Sequence, residues 1–403
     1  MKPVLDALDI VLSGIEPLGV EPVPLGSLPG RIAARDHVAK ISQPPFSASA
    51  MDGFAVTAED AVSGRSLEVI GEAPAGAPFQ GRVGQGEAVR VFTGAVIPDG
   101  AGHVVIQEDV ERVDDQITIT EEQTGGRHIR AAGIDFTVGD VLAKSGERFG
   151  RFHGALLAAA NVAETECYRR PRVALFSSGD ELRAPGNDLA PGEIINSNHY
   201  AVSEIVRAAG GVPDYLGCAG DDIAEIEAMY KQAASADVIL PIGGASVGDY
   251  DYMREGFTAA GGELIFEKVA MKPGKPTWCG ALGSARVIGL PGNPAAAIVA
   301  SSIFAQPLIA RLAGDTSHAT FMQAVTASGL PANGPRESYL RAERIGAEGG
   351  RVVVQPFRSQ DSSLLSAFAK CDVLIRRVPN APAVEAGDAV EVRFIADLLQ
   401  GVG

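Results

Sequence analysis

Pro241-Ile242-Gly243-Gly244-Ala245-Ser246-Val247-Gly248-Asp249-Tyr250-Asp251 is the segment around which the rest of the chain is organised. It follows Asp237-Val238-Ile239-Leu240, a short apolar run bounded by turn residues, as expected of a strand buried in a parallel sheet. The glycines and the serine that come next make a loop whose backbone N–H groups can approach an anion. Asp249 and Asp251 close it. Two readings stand side by side. One is an anion cradle edged with carboxylates, suited to phosphate or oxyanion chemistry with a divalent cation; the other is a strand-to-helix turn with capping aspartates.

Outward from this stretch, residues 171–318 alternate strands (172–176, 212–216, 237–240, 264–269, 286–290) with helices (198–209, 222–235, 250–260, 295–313). Such alternation implies a mostly parallel sheet with helices on both faces, and ligands in these sheets bind beyond the carboxyl ends of the strands. The loops Ser177-Ser178-Gly179, 243–248 and Pro291-Gly292-Asn293-Pro294 fall at those ends. So do Asp180 and Glu181, directly after the first strand, and Asp221, after the second. Asp222 and Glu225 fit a capping box, which leaves Asp221 to face the crevice. Glu181, Asp221 and Asp251 gathered at one edge would repel one another unless a cation such as Mg²⁺ joined them. Met271-Lys272-Pro273-Gly274-Lys275-Pro276 sets two ammonium groups on a proline-stiffened loop, which is either a phosphate clamp or a solvated turn.

Residues 4–15 carry apolar side chains at helical spacing, and a second helix is expected at 149–163. Between them lie short β-prone runs at 67–70, 87–92, 103–107 and 116–120, the texture of an inserted β domain. Beyond residue 320, runs at 339–344, 351–355, 373–377 and 389–395 suggest a small terminal β domain. The chain of 403 residues, 46% hydrophobic and 21% charged, has a globular balance and room for several domains. Its formal net charge of −16 argues against nucleic-acid binding and leaves any anionic ligand to local donors. The four cysteines show no C-x-x-C spacing, no apolar run is read as long enough to span a membrane, and the N-terminus lacks a signal-peptide pattern. A cytoplasmic protein without membrane contact is expected.

Gly244-Ala245-Ser246-Val247-Gly248 matches the G-x-S-x-G elbow of serine hydrolases, but the only later histidine is His318, in a segment that reads as a linker. No P-loop is present, and no G-x-G-x-x-G follows a strand.

Six segments in order carry a more specific signal: 49–55 (Ser-Ala-Met-Asp-Gly-Phe-Ala), Phe92-Thr93-Gly94-Ala95, Gly179-Asp180-Glu181-Leu182, 243–251, 272–276 and Leu290-Pro291-Gly292-Asn293-Pro294. Together they closely resemble the molybdopterin molybdenumtransferases, and the chain is similar also to the E domain of gephyrin. The resemblance implies an α/β multidomain fold: a discontinuous helical domain (1–42 and 141–170), an inserted β domain (43–140), a three-layer α/β molybdopterin-binding domain (171–318) and a C-terminal β-barrel (319–403). It implies a homodimer with a shared active site, and partners in the upstream adenylyltransferase and downstream molybdoenzymes. The implied reaction inserts molybdate into adenylyl-molybdopterin with Mg²⁺ and releases AMP; a non-catalytic, pterin-binding scaffold is the alternative. By the same resemblance, Glu181, Asp221 and Asp251 surround substrate and metal, while Asp52, Thr93 and Asp135 act from the inserted domain. Ser177, Gly179, Asp180, Gly243, Gly244, Ser246, Gly248, Asp249, Lys272, Lys275, Pro291, Gly292, Asn293 and Pro294 would bind the pterin, molybdate and phosphates. Ala245 stands where the family more often has Val or Thr, and the segment with Arg127 and Arg130 follows the family's basic stretch only loosely.

Overall fold

The computed structural model describes residues 1–123, 127–244, 251–315 and 321–395. Ser246, Gly248 and Asp249 lie outside the described residues. The chain forms two compact units, one made of residues 1–35, 145–151 and 166 onward, the other of residues 36–144 and 152–165.

The larger unit is built on a six-stranded sheet. From one edge to the other its strands are Val212–Ala219, Arg172–Ser178, Val238–Gly243, Ala285–Gly289, Trp278–Leu282 and Glu263–Phe266. The first four are parallel, and Trp278–Leu282 is antiparallel to both its neighbours, so Glu263–Phe266 runs in the direction of the first four. Side chains alternate between the faces, as a pleat requires. Val173, Leu175, Val238, Leu240 and Ile242 enter one core, and Ala174, Phe176 and Ile239 enter the other. The first core also takes Val4, Ala7 and Val11 from the N-terminal helix Val4–Leu12. The second is closed by the helices Ile223–Ala233 and Tyr252–Ala259 through Ile226, Tyr230, Met253 and Phe257.

The first three strands run further than the sequence suggests, whereas the one expected at 264–269 ends at Phe266. Val238–Gly243 continues through Pro241, whose carbonyl still accepts the Leu290 N–H at 2.8 Å although its own nitrogen has no hydrogen to give. Val212–Ala219 continues past an irregularity in register, which brings Cys218 beside Ser177 and Ala219 beside Ser178. Trp278–Leu282 is a strand that periodicity did not reveal.

The helix expected at 295–313 is interrupted: Pro294–Ala300 and Gln306–Leu312 flank a π-helical turn, Ser301–Ala305. Pro307 has no N–H for a carbonyl one turn earlier, which accounts for the break. Counted as one element, Pro294–Leu312 is long and apolar enough to cross a membrane, with a mean hydropathy of 1.5, and this corrects the expectation that no run reaches that length. It is 83% buried inside the protein, so it serves here as a core helix.

After this helix the chain closes a β-barrel. Met322–Thr326, Glu337–Glu348, Arg351–Pro356, Val373–Arg377 and Ala389–Phe394 pair in a ring, completed by the pairing of Glu337–Glu348 with Val373–Arg377. Met271–Lys272 joins that ring in parallel beside Glu337 and Ser338, so the lysine loop is tied to the barrel. On its outer face, where Tyr339 and Leu374 pack into the core of the α/β sheet, Arg376 pairs with Glu337 at 2.7 Å, and the Tyr339 hydroxyl donates to the same carboxylate at 2.6 Å.

In the smaller unit, six strands make a mixed sheet in the order His103–Ile106, Gly53–Val56, Glu87–Val91, Ser66–Ala73, Gln116–Ile119 and Val110–Val113. The helix expected at 149–163 is only His153–Ala159, ended before Asn161, which takes the left-handed conformation at φ 62°. Segments 1–42 and 141–170 are divided between the two units, and their helices are short.

Gly289 packs so tightly on the buried indole of Trp278 that an added Cβ would lie 1.9 Å from its Nε1. Gly289→Ala should therefore lower the melting midpoint by several degrees, on the order of 1–3 kcal/mol of overpacking strain. A midpoint within one degree of the parent would show that the indole has room to move.

Candidate active site

The carboxyl ends of the parallel strands enclose a crevice of about 840 Å³. Ser177, Ser178 and Gly179 reach it from the first strand, Asp221 from the second, Gly243 and Gly244 from the third, and Pro291, Gly292, Asn293 and Pro294 from the turn after Ala285–Gly289. Glu181 lines it as well. Pro276 comes from the lysine loop and Ser363 from the segment between barrel strands. Gly243 has φ 104°, and a Cβ there would sit 2.6 Å from the Ser178 carbonyl oxygen, so only glycine lets the two strand ends approach this closely.

The acidic side chains are held by local donors. Ser178 Oγ donates to Asp221 Oδ1 at 3.1 Å, and the Asp221 N–H donates to Asp180 Oδ1 at 3.2 Å. Asp222 caps the helix Ile223–Ala233 by accepting from the N–H groups of Ala224 and Glu225. Glu225 accepts from the Gly220 N–H at 2.8 Å, which fixes the turn that carries Asp221. Asp180 thus supports the crevice from behind and does not line it.

Asn196, Asn198, His199, Tyr215 and Cys218 carried no motif in the sequence. Asn196 Nδ2 donates to the Tyr215 hydroxyl at 2.7 Å, which donates on to Ser177 Oγ at 3.4 Å, while Ser177 Oγ donates to Asn196 Oδ1 at 3.2 Å. The imidazole of His199 stacks on Tyr215, with ring centroids 3.8 Å apart, and burial holds its pKa below the ordinary histidine value. Asn198 Nδ2 donates to the Gly292 carbonyl at 2.6 Å, yet its buried Oδ1 has no hydrogen-bond partner. Asn196 and Asn198 both line the crevice. Cys218 borders the acidic side; burial raises its pKa, and Glu181 and Asp221 raise it further, so its thiol stays protonated at neutral pH.

Two sets of predicted residues are placed elsewhere. Lys272 is exposed on the barrel-paired strand, and the Lys275 carbonyl accepts the Val269 N–H at 3.1 Å; neither lysine lines the crevice. Asp251 also lies outside it, capping the helix Tyr252–Ala259 and paired with Arg254. Among the described residues no three histidine, cysteine, aspartate or glutamate side chains gather as a metal would require. Glu181 and Asp221 line the crevice and Asp251 lines a separate hollow, so the described residues do not bring the expected trio together.

Three family descriptions cover the chain in order: the MoeA N-terminal region (domain I and II) over residues 2–161, a probable molybdopterin binding domain over 174–311 and the MoeA C-terminal region (domain IV) over 323–395. A molybdopterin molybdenumtransferase of Haemophilus influenzae is 35% identical over 387 residues, 95% of this chain and 96% of that protein. The chain belongs to the molybdopterin molybdenumtransferase family. A Bacillus subtilis member is 32% identical over 91% of this chain and 88% of its own length. The crystal structure of a molybdopterin biosynthesis MoeA protein from Pyrococcus horikosii superposes with a TM-score of 0.81 at 32% identity, covering 97% of this chain and 98% of that one. Family membership makes the chain a transferase of molybdenum cofactor biosynthesis, with molybdopterin and molybdenum as its implied substrates.

In the smaller unit, the family-like residues Asp52 and Thr93 meet. Asp52 Oδ1 accepts both the Thr93 N–H at 2.7 Å and the Thr93 hydroxyl at 2.9 Å. Asp135 is exposed on a loop held by backbone pairing to Gln43, and among the described residues its side chain bonds neither to Asp52 nor to Thr93.

The backbone N–H of Thr93, then its hydroxyl, hold the Asp52 carboxyl below the usual aspartate range. Whatever stability this contributes is present above the unfolded-state pKa and fades as pH falls through the lower folded value. Carboxyl NMR should find Asp52 titrating below an ordinary aspartate, and Thr93→Val should move it up part of the way, because the backbone donor stays. An unchanged titration in Thr93→Val would show that the hydroxyl bond does not form in solution.

Proposed function

We propose that the crevice at the strand ends binds adenylyl-molybdopterin, that molybdate is inserted into its dithiolene, and that AMP is released there. The observation that carries this reading is the composition of one cavity: hydroxyl and amide groups from Ser177, Ser178, Asn196 and Asn198, small backbone turns at Gly243 and Gly292, and the carboxylates of Glu181 and Asp221. Small turns admit flat or phosphorylated ligands close to the backbone. The side-chain amides of Asn196 and Asn198 can both donate and accept, which suits the polar edge of a pterin ring. Lone oxyanions are stabilised by pre-oriented neutral donors, which suits molybdate and phosphate in a chain of net negative charge.

Releasing AMP requires the phosphoanhydride P–O bond to break and a water oxygen to bond to phosphorus. The attacking water loses a proton, and Glu181, in the crevice, is the group placed to take it. Asp221, restrained by Ser178, orients that water. Mg²⁺ dependence belongs to the same proposal, and Glu181 and Asp221 are the crevice carboxylates that would hold the ion. The homodimer and the cytoplasmic location belong to the same proposal.

Glu181→Gln and Asp221→Asn keep the shape of the crevice and remove charge. Each should slow AMP release on the order of a hundredfold, the scale expected when one group serving a charged transition state is lost. Molybdopterin affinity, read by titration calorimetry, should stay within about threefold, because the contacts of the pterin body are untouched. Joint loss of binding and turnover would make these carboxylates wall residues and would end their assignment to the chemical step.

A further inference from the structure

Asp251 and Tyr252 are adjacent in sequence but face different spaces. Tyr252 lines the crevice, whereas Asp251 lines a separate hollow with Arg254, Glu255 and Thr258. Both carboxylate oxygens of Asp251 are engaged. Oδ1 accepts the Arg254 backbone N–H at 3.2 Å, as the cap of the helix, and Oδ2 accepts the Arg254 guanidinium. The two side chains are only 15% and 23% exposed, and the far edge of the guanidinium lies 3.4 Å from Glu267. Beneath them the Tyr230 ring is fully buried, and its hydroxyl has no hydrogen-bond partner.

We infer that Arg254 is a positioning residue for the candidate site, and that Asp251 works through it, fixing the start of the helix Tyr252–Ala259 and with it the Tyr252 side chain on the crevice wall. Its functional consequence rests on the reaction proposed above; the structural role does not. A fork-shaped cation already fills the place that a metal ion would need, at a half-enclosed site where separating the pair leaves charges poorly solvated. Arg254 cannot swing fully clear without trading Asp251 for the more exposed Glu267. Asp251 is therefore a structural carboxylate in this chain, and Glu181 and Asp221 carry the negative charge of the crevice.

The two roles give opposite signs in one experiment. Asp251→Asn keeps a capping side chain and removes the ion pair, so it isolates the charge. Arg254→Met removes the same pair from the other side. Melting midpoints of the parent, both single variants and the double variant would be measured in chelator and in excess Mg²⁺, alongside Mg²⁺ titrations of AMP release. The inference expects both single variants to melt lower and the double variant no lower than the worse single, with the same pattern in Mg²⁺. It expects kcat to fall alike in both singles, an unchanged Mg²⁺ half-saturation, and partial rescue by Arg254→Lys. It is overturned if Mg²⁺ stabilises Arg254→Met and not the double variant, because the freed Asp251 would then be binding the ion. It is equally overturned if Asp251→Asn alone raises the Mg²⁺ half-saturation tenfold or more. A parent protein that releases no AMP would end the proposed reaction, and the melting comparison would still decide the role of Asp251.

Discussion

The strand Arg172–Ser178 is hydrogen-bonded in parallel on both edges, to Val212–Ala219 and to Val238–Gly243. A central strand has no water to satisfy its N–H and C=O groups, so its neighbours must stay in register to its last residue. Ser178 accordingly stands beside both Ala219 and Gly243, and three loops leave the sheet at one level. Glu181, Asp221 and Gly244 converge for that reason and not through attraction for one another. The approach of Gly243 to the Ser178 carbonyl is the tightest point of this arrangement, and it excludes any side chain there.

Charge is handled differently in the two places where acids were expected to act together. At the crevice, Asp221 is held by a serine hydroxyl, and Asp180, behind it, by a backbone N–H, neutral donors that leave the carboxylate charge in place. Around Asp251, a guanidinium cancels the charge locally. Neutral donors hold a carboxylate without spending its charge, so it stays available to a reacting group; an ion pair commits it. Proximity in the sequence pattern therefore does not make the three carboxylates equivalent.

Much of this was legible in the residues. Alternating apolar runs and turn residues announced the parallel sheet, and loop glycines marked its functional edge. The capping box of Asp222 and Glu225 was readable in part, since Asp222 caps as expected while Glu225 turns to Gly220. Other features depend on contacts between distant segments. Nothing local to Asn196, Tyr215 or Ser177 foretells that they meet, because the strand pairing brings them together. Trp278–Leu282 was missed because it is buried on both faces and shows no alternation. On composition the lysine loop read as either a phosphate clamp or a solvated turn; its pairing with the barrel, which leaves Lys272 out of the crevice lining, is a tertiary fact. The π-helical turn was latent in Pro307, although a single proline in an apolar run does not say whether a helix ends or bends.

One crevice, with Glu181 and Asp221 at its edge, is proposed both to bind the adenylylated pterin and to release AMP. Purified protein incubated with adenylyl-molybdopterin, with and without molybdate, tests it most directly through the AMP formed. The account predicts molybdate-dependent AMP release in step with the appearance of metal-loaded pterin. Tight pterin binding with no AMP released under any combination of molybdate and Mg²⁺ would contradict it, and would leave a pterin-binding protein without turnover.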